Sequence, residues 1–322
     1  MASARPERAS APLRYLQGWC RIERRSAMAG QRLRVGVIGA GRVGAVLASA
    51  LRSAGHEIVA VAGESAASRT RIETMLPGVT VAKPTDVAKS ADVLLLTVPD
   101  DALDNVVRML VASRAIRSGH LVVHTSGRHG MAVLEPALAI GARGIALHPA
   151  LTFTGTDVDL PRLAGCLYGV TCAPEERAAA EALVQDLGGG VVWIEERNRT
   201  LYHAALAHGA NHLVTLVSES MSLLREAGST DPAAMLRPLL TAALDNVLVY
   251  GDAALTGPIV RGDVQTVAEH VRALASSPEA LRSYIQMARA TALHAVRDGR
   301  LDPRRAAALT SVLDAATEWS AR

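Results

Sequence analysis

Three histidines and an asparagine share one short stretch, TLYHAALAHGANHLVTL, residues 200–216. Its alanines and leucines recur at helical spacing, so the stretch reads as a helix. His208 and His212 are four apart, the spacing that lets two imidazoles on one helix face share a metal. The HExxH arrangement is missing, because Gly209-Ala210-Asn211 lies between them, and no nearby Asp or Cys cluster completes a site. The expectation is therefore no metal. Proton transfer is the other chemistry on offer: an oxygen that gains negative charge needs a donor within reach, and His and Asn both supply one. At about 100° per residue, His203 lies about 80° to one side of Asn211 and roughly 12 Å along the axis. His208 lies about 60° to the other side and roughly 4.5 Å away. Asn211, His203 and His208 are the candidates for orienting and protonating a substrate oxygen.

A second set of residues addresses a phosphate. Gly39-Ala40-Gly41-Arg42-Val43-Gly44 is a GxGxxG turn between a strand and a helix. The first glycine makes the tight turn, the second lets backbone approach a pyrophosphate, and the third lets helix and strand pack closely. Gly39, Gly41, Arg42, Val43 and Gly44 are the expected dinucleotide contacts. The next strand ends VAGESAASR. Glu64 suits a free ribose 2′-hydroxyl, whereas Ser65, Ser68 and Arg69 suit a 2′-phosphate. Arg69 would otherwise be a solvated residue of a first helical turn. The balance favours NADP, with NAD possible.

In such sheets ligands bind beyond the carboxyl ends of the strands. Pro99-Asp100-Asp101 ends one strand, and Pro99 is expected to border the cofactor. Asp101 could serve as the N-cap of the following helix. The next strand ends His124-Thr125-Ser126-Gly127, where Ser126 offers a hydroxyl and Gly127 a bare backbone. His148 ends another strand, clamped in an extended geometry by Pro149. Arg261, in ALTGPIVRGD, carries a fork that suits a carboxylate, and Asp263 could cap the helix after it. Ser126, His148 and Arg261 are the expected substrate contacts.

These groups are positioned by an alternation of strands and helices. RLRVGVIGAG, HEIVAVAG, GVTVAKP, ADVLLLTVP, HLVVHTSG and ARGIALHP are six strand-like runs with helical segments between them. That order predicts a doubly wound, mostly parallel α/β sheet, with His148 at the end of its sixth strand. GCLYGVTCA and GGVVWIEE bracket a further helix and extend the sheet. From about residue 198 only helices follow, expected at 199–226, 232–250, 263–275, 279–298 and 303–320. The organisation expected is a disordered basic leader over 1–30, a Rossmann domain over 31–197 and an all-α domain over 198–322.

Composition narrows the class. The net charge is +3, but residues 1–30 hold six arginines against two glutamates, so the remaining chain is close to neutral. Aromatics are only 3%, and a near-neutral body with so few does not suit nucleic acid. No apolar run approaches a membrane span, and the three cysteines show no CxxC pairing. A cytoplasmic protein with reduced thiols and a small-molecule substrate is the expectation.

With HTSG, LHPALTF, YHAALAHGANH and ALTGPIVRGD in place, the chain resembles the 6-phosphogluconate-dehydrogenase-like superfamily. Within it, the chain is similar to a subgroup pairing a Rossmann-like domain with a C-terminal domain of unknown function. An alternative type of ketopantoate reductase looks like a member. The resemblance covers nearly all of the chain except the leader. It implies an NADP-dependent oxidoreductase reducing a small 2-oxo acid, such as ketopantoate in pantothenate biosynthesis, and a homodimer formed through the helical domain. The better-known branches use a lysine on the first helix of the C-terminal domain as proton donor, one turn before an asparagine. This chain keeps Asn211 but has Ala207 four positions earlier, and its only lysines are Lys83 and Lys89. An imine reductase of the pyrroline-5-carboxylate type, which does not need that lysine, and a non-catalytic dinucleotide sensor or assembly protein are the alternatives.

Overall fold

The computed structural model describes residues 32–320, with side chains to residue 317. The leader, Cys20 included, lies outside the described residues. In chain order the first elements are β1 (Arg34–Ile38), α1 (Arg42–Ser53), β2 (Glu57–Ala62), α2 (Ala66–Met75), α3 (Pro84–Ser90) and β3 (Val93–Leu96). They continue with α4 (Asp100–Ala112), β4 (Leu121–His124), α5 (Glu135–Leu138) and β5 (Arg143–Pro149). After them come β6 (Leu167–Cys172), α6 (Arg177–Asp186) and β7 (Gly190–Trp193). The helical part holds α7 (Arg199–Glu226), α8 (Pro232–Tyr250), α9 (Pro258–Arg261), α10 (Val264–Ala273), α11 (Pro278–Arg297) and α12 (Pro303–Ser320).

The seven strands form one sheet in the order β2-β1-β3-β4-β5-β6-β7. All neighbours are parallel except β5 and β6, which run antiparallel. The sheet is apolar on both faces, as a doubly wound sheet requires. Val35, Val37, Val93, Leu95, Val123 and Ile145 pack with α1 and α6 on one side. Ile38, Leu94, Leu96 and Val122 pack with α3, α4 and α5 on the other.

Two details correct the sequence reading. GVTVAKP is not a strand: only Val81 pairs, in an isolated parallel bridge with Val61. A run interrupted by Gly78 and Pro84 has too little uninterrupted backbone to propagate a ladder. His148 therefore lies in the fifth strand rather than the sixth. Nor does Asp101 cap α4. Pro99 takes the N-cap position and Asp101 is already the second helical residue. Its carboxylate still sits in the first turn, where the helix dipole favours negative charge.

The chain divides into two compact units at Ala207/His208, inside α7 and beyond the 197/198 position where the strand pattern stops. In the second unit α9–α12 enclose a core that includes Val267, Leu281, Ile285, Leu309 and Leu313. Asp231 and Asp263 cap α8 and α10 by accepting the amides of Ala234 and Thr266. By contrast, α8 buries only Pro232 and Leu236. Its Leu248 is 76% exposed and its Val249 71%. Among the described residues, no helix is long and apolar enough to cross a membrane.

Candidate functional site

The glycine turn leaves β1 at its carboxyl end. Gly39 has φ 103°, and a Cβ there would stand 2.7–2.8 Å from backbone atoms of Thr97 and Val98. Gly44 is equally constrained, because a Cβ would meet Gly39 O and Thr97 Oγ1 at 2.3 Å. Thr97 Oγ1 also donates to Gly39 O at 2.6 Å, tying the turn to the end of β3. Both glycines are demanded by the fold. Gly41 is not. Its φ is −77°, and the nearest atom to a Cβ would be Gly39 O at 4.0 Å. The bare face of Gly41 opens where no protein atom needs the space. An anion drawn to the α1 N-terminus uses such an opening.

The flanking groups are basic and hydroxylic. Arg42 is the first residue of α1 and is exposed, and Val43 is half-buried beside it. Gly155 packs against Arg42 and Arg71 so closely that a Cβ would lie 2.8 Å from Arg71 Nε. That loop is held by the buried carboxylate of Asp159, which accepts the amides of Thr154 and Gly155 at 2.8 Å each. Burial pushes the Asp159 carboxyl up, but these amides outweigh it and hold it below the usual range. Ser65 caps α2, accepting from Ser68 N and donating to Ser68 Oγ, and Arg69 is exposed in the first turn. Glu64 is exposed just before the cap. Pro99 follows Thr97 and Val98, the residues that Gly39 touches.

A second cluster occupies the same edge of the sheet. Ile38, Leu96, His124 and Ala146 are paired in register across β1, β3, β4 and β5. The turn after β4 is built by His124, which is fully buried. Its Nδ1 accepts the amide of Ser126 at 3.2 Å, so its proton sits on Nε2 and is donated to Gly130 O at 2.8 Å. Burial above all, with Arg199 and His129 adding, pushes the imidazole down to about 4 and keeps it neutral. Ser126 is buried, and its hydroxyl oxygen accepts the amide of His129.

Gly127 then lies against two imidazoles. A Cβ there would meet His203 Cδ2 at 2.4 Å and His148 Nε2 at 3.0 Å. His148 and His203 meet edge-on, with ring centroids 5.9 Å apart. His148 Nδ1 lies 2.9 Å from the Tyr202 hydroxyl. Burial, then the charge of Arg199 and the ring of His203, push His148 down to about 4. The start of α7 is locked by Arg199, which is 1% exposed and donates to the carbonyls of Ser126, His129 and Gly169. Glu196 completes the clamp by accepting the amides of Met131 and Ala132.

Ser126, His148 and His203 are thus brought together, and the cofactor candidates gather at the glycine turn and α2. Three candidates lie in the second unit. His208 Nδ1 is 2.9 Å from His212 Nδ1, Asn211 is exposed, and Arg261 ends the short α9 with its side chain exposed. Among the described residues, no group of three His, Cys, Asp or Glu side chains could hold a metal. Cys166 and Cys172 are free, and burial pushes both thiols up to about 11. Sequence reading missed Arg199, Tyr202 and His124 as site builders. Tyr202 was legible as the neighbour of His203, but a buried arginine bonding three carbonyls has no local signature.

Fold and site together define a two-unit chain whose first unit is a dinucleotide-type Rossmann sheet and whose second is helical. Residues 21–149 match the family described as a Rossmann-like domain, and residues 166–291 match a domain of unknown function, DUF2520. The second match begins at β6, so it takes in the antiparallel extension of the sheet. A Bacteroides fragilis protein, named as a candidate NADP oxidoreductase, has a similar structure at 23% identity and TM-score 0.71, covering 81% of this chain and 98% of that one. The Thermotoga maritima protein TM1727 is similar at 20% identity and TM-score 0.60, covering 82% and 99%. Plasmodium falciparum pyrroline carboxylate reductase with NADP bound is similar at 12% identity and TM-score 0.54, covering 82% and 98%. At these identities the likeness is one of fold. No curated protein matches the chain.

Proposed function

We propose that the protein is an NADP(H)-dependent oxidoreductase that reduces the carbonyl of a small 2-oxo acid, with ketopantoate the first substrate to assay. The observation that carries this reading is Gly41, a glycine that the fold does not need and a bound pyrophosphate does. The residues present fit a dinucleotide: Gly39, Gly41 and Gly44 with the α1 N-terminus receive the pyrophosphate, and Arg42, Ser65 and Arg69 receive a 2′-phosphate. A reduced nicotinamide, when bound, supplies hydride to the carbonyl carbon. The chain's own residues then orient the oxygen and deliver a proton. Asn211 is assigned the first task and His203 the second, with His208 in reserve; Ser126 and Arg261 are assigned to the substrate carboxylate, and His148 is a further substrate contact. Pantothenate biosynthesis in the cytoplasm is the corresponding role.

A homodimer is part of the proposal. The carboxyl-terminal turn of α8 exposes Val247, Leu248, Val249 and Tyr250, and Leu239 lies exposed two turns earlier, apolar surface that a second copy would cover. One observation favours a second reading, an imine reductase of the pyrroline-5-carboxylate type: no lysine follows Lys89, so the second unit has no ammonium to act as acid.

The test is NADPH oxidation by the purified protein with ketopantoate, other 2-oxo acids and cyclic imines in parallel, repeated with Asn211→Ala. Turnover of the oxo acid that Asn211→Ala abolishes supports the first reading, and turnover of the imine alone supports the second. Tight NADPH binding without turnover of either class would leave a sensor and sink the enzyme.

A further inference from the structure

We propose that His148 and Tyr202 form the proton-delivery pair of this site, with His148 Nε2 as the donor to the substrate oxygen and Tyr202 as the residue that sets its tautomer and refills it. The inference rests on the reductase reading and replaces the role given there to His203.

The geometry begins at the carboxyl edge of β5. His148 is three strand spacings, roughly 14 Å, from the glycine turn strand β1 along the same sheet edge. Its Nδ1 is engaged by the Tyr202 hydroxyl at 2.9 Å. Among the described residues its Nε2 has no hydrogen-bond partner, and it lies beside the bare Cα of Gly127. The phenol packs directly on the backbone of Gly169, where a Cβ would lie 2.5 Å from the Tyr202 oxygen. In the proposed pair the phenol donates its hydrogen to His148 Nδ1, and the imidazole carries its own hydrogen on Nε2, the atom beside Gly127.

The charged surroundings agree. Facing His148 are Arg199, Tyr202 and His203 from α7 and Asp100 from α4. Burial dominates, and the permanent charge of Arg199 adds to it, so the imidazole stays neutral at physiological pH. A neutral imidazole donates a hydrogen bond without neutralising a nearby anion, a use that other active sites make of buried histidine. Burial also raises the Tyr202 phenol, while Arg199 opposes it, so the phenol is protonated at rest.

The step balances. As hydride from the reduced nicotinamide bonds to the carbonyl carbon, the carbonyl π pair becomes a lone pair on oxygen. That oxygen takes the proton from Nε2, Nδ1 takes the proton from the Tyr202 hydroxyl, and the imidazole ends neutral. The phenolate lies beside Arg199, whose guanidinium carbon is 5.6 Å from the ring centroid; a solvent proton then enters at Nε2 while Nδ1 returns its proton to the phenolate, which restores the starting tautomer. The transfer runs downhill, because an alkoxide is a stronger base than a phenolate.

The experiment has two arms. In the resting protein labelled with 15N-histidine, long-range proton–nitrogen correlation reads the His148 tautomer between pH 5 and 8. The expected result is one neutral Nε2–H form in the wild type and a mixture of tautomers in Tyr202→Phe. An Nδ1–H form in the wild type, or titration near the ordinary histidine value, would overturn the pair. In the second arm, His148→Gln should lower kcat about 100-fold, within the usual range for a general acid, while NADPH fluorescence titration stays unchanged. Tyr202→Phe should lower kcat about 10-fold or more with KM held, because the relay loses its second proton. Wild-type kcat in His148→Gln would overturn the pair and leave the reductase standing. A wild type that turns over no carbonyl or imine substrate would overturn both.

Discussion

Replacing Gly41 with alanine separates folding from cofactor binding. The backbone there, φ −77° and ψ −161°, is one that alanine adopts without strain. The added methyl would find its nearest neighbour at 4.0 Å, so no core atom has to move. Losing a glycine raises stability by about 0.4–1 kcal/mol through the unfolded chain. Alanine at an N-cap gives back roughly the same amount. The net effect should lie within about 0.5 kcal/mol of zero. Gly44→Ala is the contrast. Its methyl would fall 2.3 Å from Gly39 O, a backbone atom that cannot swing aside. The cost should be about 1–3 kcal/mol. Against NADPH the order reverses in meaning: the Gly41 methyl stands on the open face proposed for the pyrophosphate. Affinity should fall at least about tenfold, or ~1.4 kcal/mol, in a protein of unchanged stability. Urea unfolding gives the first number and NADPH fluorescence titration the second. If Gly41→Ala binds NADPH as the wild type does, the opening is not a phosphate site. If it is as unstable as Gly44→Ala, the packing argument itself fails.

The buried histidines make stability fall in mild acid. His124 is pushed down to about 4 in the fold and returns to the ordinary 6.5 when unfolded, so the unfolded chain binds more protons between these values. Stability is whole above pH 6.5 and drains as pH falls toward 4, by about 2 kcal/mol at pH 5 from this residue. His148 acts in the same direction, and urea midpoints at pH 5 and 7.5 should differ less in His124→Gln than in the wild type. Arg199→Met should cost about 3–5 kcal/mol, because the carbonyls of Ser126, His129 and Gly169 lose their donor, as thermal or urea unfolding will read. Removing Ser65 and Arg69 together should weaken NADPH more than NADH, a difference that parallel titrations measure directly. Leu248→Lys should dissociate the proposed dimer in light scattering while leaving the α9–α12 core folded.

Much of the architecture is written locally. The spacing of apolar residues and the capping residues place α7 and α8 at 199–226 and 232–250, the bounds found in the structure. Strand β1, the glycine turn and α1 follow from one contiguous motif. What is local in the chain is set by backbone preference and short-range capping, and one sequence is enough to read it. GVTVAKP failed because a strand exists only if a neighbour pairs with it, and its length alone could not say that Val81 would be the sole residue to do so.

The site is a different matter. Sequence alone determined that a glycine-rich turn opens a doubly wound sheet, that a histidine-rich helix follows it, and that no lysine follows Lys89. It could not rank the histidines, because a residue's proton affinity depends on burial and on charges far away in the chain. Only the tertiary structure decided that Gly41 is spare to the fold while Gly39 and Gly44 are not. Only it brought Arg199 onto the carbonyls of Ser126, His129 and Gly169, residues 30 to 73 positions distant. Those bonds fix where α7 begins against the sheet. They thereby set Tyr202 on His148, a contact between residues 54 positions apart that no local pattern could announce.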